Sequence, residues 1–222
     1  DKQKTHFFQN ISHELRTPLT LIMAPLDDAK KEYPGNRNID VAAKNSKRLY
    51  RLVNQLLDFQ KLKAGKMKAN LKVIDLSKFL RSCAESFATI LESKSIEFSF
   101  DLPFDDEVFI KTEIDSLEKI IFNYLSNALK YTPENGSIEL GLDYEKDQIR
   151  IFVKDTGPGM SEEQQQKLFK VFSQVDESTT REFEGTGLGL ALVKELAEKM
   201  KGEVFVKSKE GSGSVFGVLL PE

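Results

Sequence analysis

The 222-residue chain has few of the residues that staple or anchor a protein. Its one cysteine, Cys83, excludes an internal disulfide framework and any cysteine-cluster metal site, and fits a reducing compartment. Two histidines, His6 and His13, are too few for a multi-histidine zinc site. Tryptophan is absent, so core aromatics come from 16 Phe and five Tyr. No stretch approaches the ~18 consecutive apolar residues of a membrane span, and no signal peptide opens the chain. Internal repeats and low-complexity tracts are missing too. The start, Asp-Lys-Gln-Lys-Thr-His-Phe-Phe, carries no initiator methionine and reads as a cut through a longer protein.

What is present is an ordinary globular balance, 40% apolar and 30% charged, enough for one or two domains. Charge is uneven along the chain. Residues 1–70 hold 14 Lys and Arg against seven Asp and Glu, a net +7, while residues 71–222 hold 18 against 28, a net -10. The basic segment is either solvated helix surface or a docking face for an acidic partner. Its cations are not interleaved with stacking aromatics, which argues against nucleic acid.

Residues 1–66 read as a helical hairpin. Ile11, Leu15, Leu19, Ile22 and Leu26 form one apolar stripe at helical spacing, and Leu49, Leu52, Leu56 and Phe59 form another, with Ala42 one heptad earlier. Tyr33-Pro34-Gly35-Asn36 is the turn between them. Pro18 and Pro25 fall inside the first helix and should kink or loosen it. A lone hairpin covers two stripes poorly, so pairing of two copies into a four-helix bundle, a homodimer, is expected. Ala64–Lys68 reads as a hinge.

Residues 71–222 mix both periods and predict an α+β domain, a sheet covered by helices on one face. Ile138–Leu142 and Ile149–Val153 alternate as half-buried strands, Gly202–Val206 and Ser214–Leu220 read as a closing pair, and helices fit near 76–92, 114–131 and 187–200.

His13 lies about 200° around the helix from Ile11 and Leu15, away from the apolar stripe. Glu14 is adjacent, Thr17 is one turn on, and Pro18 crowds that turn. A neutral imidazole is a nucleophile near pH 7, and a neighbouring carboxylate can take its other proton. The plainer alternative is a solvated helix histidine, which is the reading for His6.

Three further segments could hold a nucleotide. Asp155-Thr156-Gly157-Pro158-Gly159-Met160 makes a tight turn at a strand end, aiming a carboxylate suited to an exocyclic amine. Gly185-Thr186-Gly187-Leu188-Gly189-Leu190 opens a helix, an anion site in backbone terms. It is neither a dinucleotide fingerprint nor a Walker loop. The charged stretch 173–184 before it suits a mobile lid. Asn123, Asn127 and Lys130 share one helix face, where amide oxygens can ligate Mg²⁺ and an ammonium can meet a phosphate. Each has a bland alternative: a simple turn, a weak glycine signal, a polar helix face.

Taken together and in this order, the motifs resemble the sensor histidine kinases of two-component signalling over essentially the whole chain. F-F-Q-N-I-S-H-E-L-R-T-P-L-T resembles the phospho-acceptor box, N-Y-L-S-N-A-L-K-Y-T-P the asparagine box, and D-T-G-P-G-M the first glycine box. L-F-K-V-F resembles the phenylalanine box and G-T-G-L-G-L the second glycine box. The resemblance implies a dimerisation and histidine-phosphotransfer hairpin (1–66) followed by an α/β-sandwich ATP-binding domain (71–222) of the histidine kinase, gyrase and MutL type. His13 would accept the phosphoryl group from ATP and pass it to an aspartate of a response-regulator receiver. Glu14 would assist as acid/base, and Thr17 would serve the phosphatase activity seen in many members.

Asp155 would bind the adenine amine, and Asn127 would ligate Mg²⁺ beside Asn123 and Lys130. Gly157, Gly159, Gly185, Gly187 and Gly189 would shape the pocket and lid, with Phe169 and Phe172 as anchors and Arg181 as a phosphate contact. Tyr131, Thr186 and Leu188 complete the nucleotide-binding set. The resemblance also implies a cytoplasmic module of a larger membrane-anchored sensor, with no membrane contact by this segment itself. One departure is Glu184-Gly185, where many members carry two glycines; it should stiffen the lid hinge. The alternatives are a related ATPase of the gyrase B, MutL or heat-shock chaperone kind, or a non-catalytic dimeric nucleotide-sensing module.

Overall fold

The computed structural model describes residues 2–67, 70–102, 108–145, 147–169 and 187–221, and only the backbone of residues 2–14 and 145. The chain divides into two compact units, Asp1–Lys68 and Ala69–Glu222. No helix among the described residues is long and apolar enough to cross a membrane.

The first unit is an antiparallel pair, α1 (Lys2–Glu32) and α2 (Arg37–Lys63). Gly35 takes φ +81 in the turn, and the Asn36 side chain caps α2 by accepting from the N–H groups of Asn38 and Ile39. At the far end Gly65, φ +63, ends α2 in a Schellman motif: its N–H reaches Leu62 and that of Lys66 reaches Lys61. Gly65 thus ends the helix just before the boundary between the two units. α1 runs through Pro18 and Pro25 as one helix. Each proline withdraws one N–H and crowds the carbonyl four residues back, at Glu14 and Leu21.

The seam between the helices also differs from the expected one. Ala43, Ser46, Val53 and Leu57 are the buried residues of α2, and Tyr50 packs against Leu19, Val53 and Leu57. The predicted stripe lies on an adjoining face: Leu49 is 48% exposed, and Leu52, Leu56 and Phe59 are half-buried. On α1, Leu19 is buried while Leu15 and Ile22 stay exposed. The helix carries two apolar stripes, and the one with small residues allows the closer internal approach. Polar clasps fix the register. Arg16 donates from Nε and Nη2 to Asn54 Oδ1 at 3.2 and 3.0 Å, and Lys30–Asp40 and Lys47–Asp27 pair at 2.8 and 2.7 Å.

The second unit begins with β1 (Leu71–Asp75), α3 (Leu76–Glu85), α4 (Ala88–Ser93), β2 (Glu97–Asp101) and β3 (Phe109–Glu113). It continues with α5 (Ile114–Tyr131), β4 (Ser137–Glu145), β5 (Gln148–Asp155) and α6 (Glu162–Lys167). It closes with α7 (Gly189–Lys199), β6 (Glu203–Ser208) and β7 (Ser214–Pro221). The expected helix 76–92 is interrupted at Ser86–Phe87, and the five-residue strands β1, β2 and β3 are not among the expected elements.

β1 pairs with β3, and the main sheet runs β2-β4-β5-β7-β6, parallel only between β2 and β4. One face of this sheet buries Ile138, Leu140, Ile149, Ile151, Val153 and Val218 against Leu117, Ile120, Ile121 and Tyr124 of α5 and Val193 and Leu196 of α7. Tyr124 donates its hydroxyl to the Gly217 carbonyl at 3.0 Å, locking α5 onto β7. On the opposite face Gly141 and Gly217 have no room for a side chain, because the rings of Phe152 and Phe205 lie over them. Arg150 covers both rings and makes a two-pronged bond to Asp143. Cys83 is buried on α3, and burial pushes its thiol up to about 12, with Glu118 adding to the rise. The native chain should therefore resist thiol reagents that label it once unfolded.

A buried ion pair ties the helices together. Glu113 accepts from Lys199 Nζ at 2.6 Å and from Ser116 Oγ at 2.9 Å. Their side-chain exposures are 9% for Glu113 and 21% for Lys199. Glu113→Ala should cost about 2–3 kcal/mol in a denaturant titration, somewhat less than a fully enclosed pair because the stranded Lys199 can reach water. A loss within ~0.5 kcal/mol would mean that the pair is a surface pair in energetic terms.

Candidate functional site

The three segments picked out above converge at one end of the second unit. On α5 the spacing places Asn123 and Asn127 one turn apart, and Asn127 Nδ2 donates to Asn123 Oδ1 at 3.2 Å. That bond leaves the amide oxygen of Asn127 as the open acceptor of the pair. Asn123 in turn sits against the start of α7, where a Cβ on Gly189 would come within 2.5 Å of its Nδ2. Glycine there lets the two helices meet. Gly187, φ +66, turns the chain into α7, whose cap position, Leu188, supplies no side-chain acceptor. The first N–H groups of α7 thus lack a side-chain cap, next to the amide face of α5.

The turn after β5 is built around Asp155, which is 6% exposed. Gly157 N–H donates to Asp155 Oδ1 at 2.8 Å. Burial raises the carboxyl above the usual carboxylate range, and bonds from the backbone of Gly157 and Ser214 partly oppose the rise. The loop between β6 and β7 braces this turn closely. Gly211 N–H donates to the Pro158 carbonyl at 2.7 Å. A Cβ on Gly159 would lie 1.9 Å from the Lys209 carbonyl, and one on Gly213 1.9 Å from that of Asp155. Both glycines have positive φ, +69 and +82. From the α6 side, Gln165 Nε2 donates to the Ser208 and Met160 carbonyls.

Sequence reasoning missed Gly211, Gly213, Gln165 and the Thr156–Ser137 bonds that pin β4 to the turn. The signal was Gly-Ser-Gly between two strands, which reads as an ordinary hairpin loop. Thr132, one residue beyond Tyr131, holds a buried hydroxyl with no partner among the described residues. Such a group costs about 1–3 kcal/mol unless a water or ligand meets it.

Lys130 is folded onto its neighbour: its Nζ donates to the Tyr131 hydroxyl at 2.9 Å and stands 4.5 Å from the ring centre. Tyr131 is exposed. In the first unit Thr17 is exposed on α1, and His13 and Glu14 belong to the same helix, their side chains outside the described residues. Phe172, Arg181, Gly185 and Thr186 also lie outside the described residues; Phe169 is half-buried just after α6.

An amide-lined helix face, an uncapped helix start and a buried carboxylate together suit a nucleotide: phosphates at α7, a base amine at Asp155. The donor set also fits Mg²⁺. No three His, Cys, Asp or Glu side chains converge as metal ligands among the described residues, and Mg²⁺ needs only one or two protein oxygens when phosphates supply the rest.

This fold and face define an ATP-binding domain joined to a helical phospho-acceptor unit. Residues 112–222 match the histidine kinase-, DNA gyrase B- and HSP90-like ATPase family, and residues 3–65 match the His Kinase A (phospho-acceptor) domain. Over its whole length the chain is 36% identical to hybrid signal transduction histidine kinase D of Dictyostelium discoideum, covering 15% of that protein. It is 33% identical to sensor histidine kinase WalK of Bacillus subtilis (strain 168), covering 37% of it. Among solved structures, full-length ShkA in complex with AMPPNP superimposes with a TM-score of 0.81 at 28% identity, over 97% of this chain and 45% of that one. The chain belongs to the histidine kinase family, and it spans well under half the length of these curated relatives.

Asp155→Asn should separate binding from stability. A carboxyl raised on folding contributes fully below its unfolded value, and that contribution is lost as pH rises through the folded one. At pH 7 the wild type therefore carries the burial penalty, and Asn, which still accepts from Gly157, removes it. Thermal scans should show the variant melting higher at pH 7, with the gap closing as pH falls below about 4, while ATP affinity drops. A variant that melts lower at pH 7 would contradict the burial account.

Proposed function

We propose that the chain is the catalytic core of a sensor histidine kinase that phosphorylates itself on His13 from ATP and hands the phosphoryl group to an aspartate of a receiver domain. The observation that supports this reading is the chain of contacts among the three segments, Asn127 with Asn123, Asn123 with Gly189, and the turn after Asp155 with Tyr131 at the end of α5, in a chain whose first helix carries His13 and Thr17 one turn apart.

In this reading Asp155 accepts from the adenine amine, and Gly157 and Gly159 let the turn approach the base. Asn123, Asn127, Lys130 and Tyr131 line the phosphate side, with Lys130 leaving Tyr131 to meet the charge. Gly185, Thr186, Gly187, Leu188 and Gly189 present backbone N–H groups to the phosphates. Phe169 and Phe172 anchor the lid, and Arg181 reaches the phosphates from it. Mg²⁺ bound through Asn127 would neutralise charge on the leaving phosphates.

A ring nitrogen of His13 forms a bond to the γ-phosphorus as the bond to the ADP oxygen breaks. Glu14 takes the proton from the other ring nitrogen. Phosphotransfer moves the same group to the receiver carboxylate, and Glu14 with Thr17 supports hydrolysis of the phospho-receiver. Hairpin 1–66 is the dimerisation and phosphotransfer domain, and 71–222 the ATP-binding domain. The greater length of the relatives supports a module of a larger sensor; its setting as the cytoplasmic part of a membrane-anchored protein belongs to the same proposal.

The exposed apolar face of the hairpin, Leu15, Ile22, Val41 and Leu49, supports a homodimer. Leu49→Glu should turn the dimer into a helical monomer by sedimentation equilibrium; persistence of the dimer would place its interface elsewhere. For the activity itself, γ-labelled ATP with Mg²⁺ should give an acid-labile, alkali-stable label that His13→Gln abolishes. Label persisting in that variant would put the acceptor at another residue.

A further inference from the structure

On the sheet face opposite the helices, three lysines gather beside the loop that braces Asp155. A surface cavity of about 290 Å³ is lined by Lys154, Lys207 and Lys209 with Ser208, Ser212 and Gly213. Register explains the grouping: Val215 of β7 pairs with Lys154 on one side and Lys207 on the other, so both side chains rise on the same face. Their strands lie two apart, about 10 Å, and Lys209 joins them from the loop.

The carboxylates nearby offset the group only in part. Glu139 pairs across the sheet with Lys154 alone, at 3.4 Å. Asp155 lines the cavity but is bonded to backbone N–H groups and raised by burial. Glu210 belongs to the same loop and does not line the cavity. Residues 71–222 carry ten more acidic than basic residues, 28 against 18, so three ammonium groups around one cavity depart from the character of the domain. Like charges held together call for a counter-charge, and three of them call for more than one negative group.

We propose that this cavity is a second anion site, for an oligophosphate-bearing small molecule, distinct from the nucleotide face on α5 and α7. Lys154, Lys207 and Lys209 would meet the phosphoryl oxygens as point charges, and Ser212 would add a hydroxyl donor. Lys154, Lys207, Lys209 and Ser212 are not among the residues given to the nucleotide, while Asp155 and Gly213 line this cavity too and mark where it borders the nucleotide face.

The test is a titration of sodium tripolyphosphate into the isotope-labelled full chain, followed by amide resonances, beside a Lys207→Ala/Lys209→Ala double variant. Saturable shifts at residues 207–215 are expected, weakened about tenfold or more in the variant, with ATP affinity unchanged within about twofold and orthophosphate binding more weakly than tripolyphosphate. Shifts confined to α5 and the start of α7 would overturn the proposal, as would saturation unchanged in the variant or shifts that never saturate. Equal binding of orthophosphate would overturn the oligophosphate class.

Discussion

The site depends on one close approach of backbone to backbone. Gly213 and Gly159 let the β6–β7 loop press against the turn after β5, with carbonyls where any other residue would carry its Cβ. That contact holds Asp155 at the sheet end, where Gly157 can donate to one oxygen while the carboxyl stays buried. A carboxylate kept from water and only partly satisfied is costly in the free protein. In the proposed function that cost would be the source of selectivity, since a ligand that supplies a further donor would relieve it.

The two units meet the demands of burial differently. The second closes its core internally, with α5 and α7 against the sheet and Glu113–Lys199 joining them at the edge. The hairpin buries little of its own apolar surface: Leu19, Val53 and Leu57 make its only cluster among the described residues. Its wider stripe is only partly covered within one chain, with Leu49 exposed and Leu52 and Leu56 half-buried. In the proposed homodimer a second pair would cover that stripe and association would be part of folding, with His13 carried on the same helix as Leu19.

Much of this was legible in the sequence, for identifiable reasons. Alternation in Ile149–Val153 and Ile138–Leu142 and the polar face of Asn123, Asn127 and Lys130 survive any tertiary context, because each is a local period tied to one element. The seam of the hairpin was misread because periodicity cannot rank two adjoining stripes; Ala43 and Ser46 gave the closer approach, and large leucines drew attention to the outer one. The strands at 71–75, 97–101 and 109–113 are only five residues each; Glu97–Asp101 does alternate, but over too short a run to stand out from a loop. The brace at Gly213 was invisible because nothing local to a hairpin loop says what it will lie against 55 or so residues earlier in the chain.

The central claim is that the buried carboxylate of Asp155 reads an exocyclic amine. Calorimetric titration of the chain with ATP and with purine riboside triphosphate, which differs only in lacking that amine, tests it most directly. A hydrogen bond to a charged, desolvated acceptor is worth about 1.5–3 kcal/mol, so the analogue should bind roughly tenfold to a hundredfold more weakly. Equal affinity for the two nucleotides would contradict the account and place base recognition elsewhere in the chain.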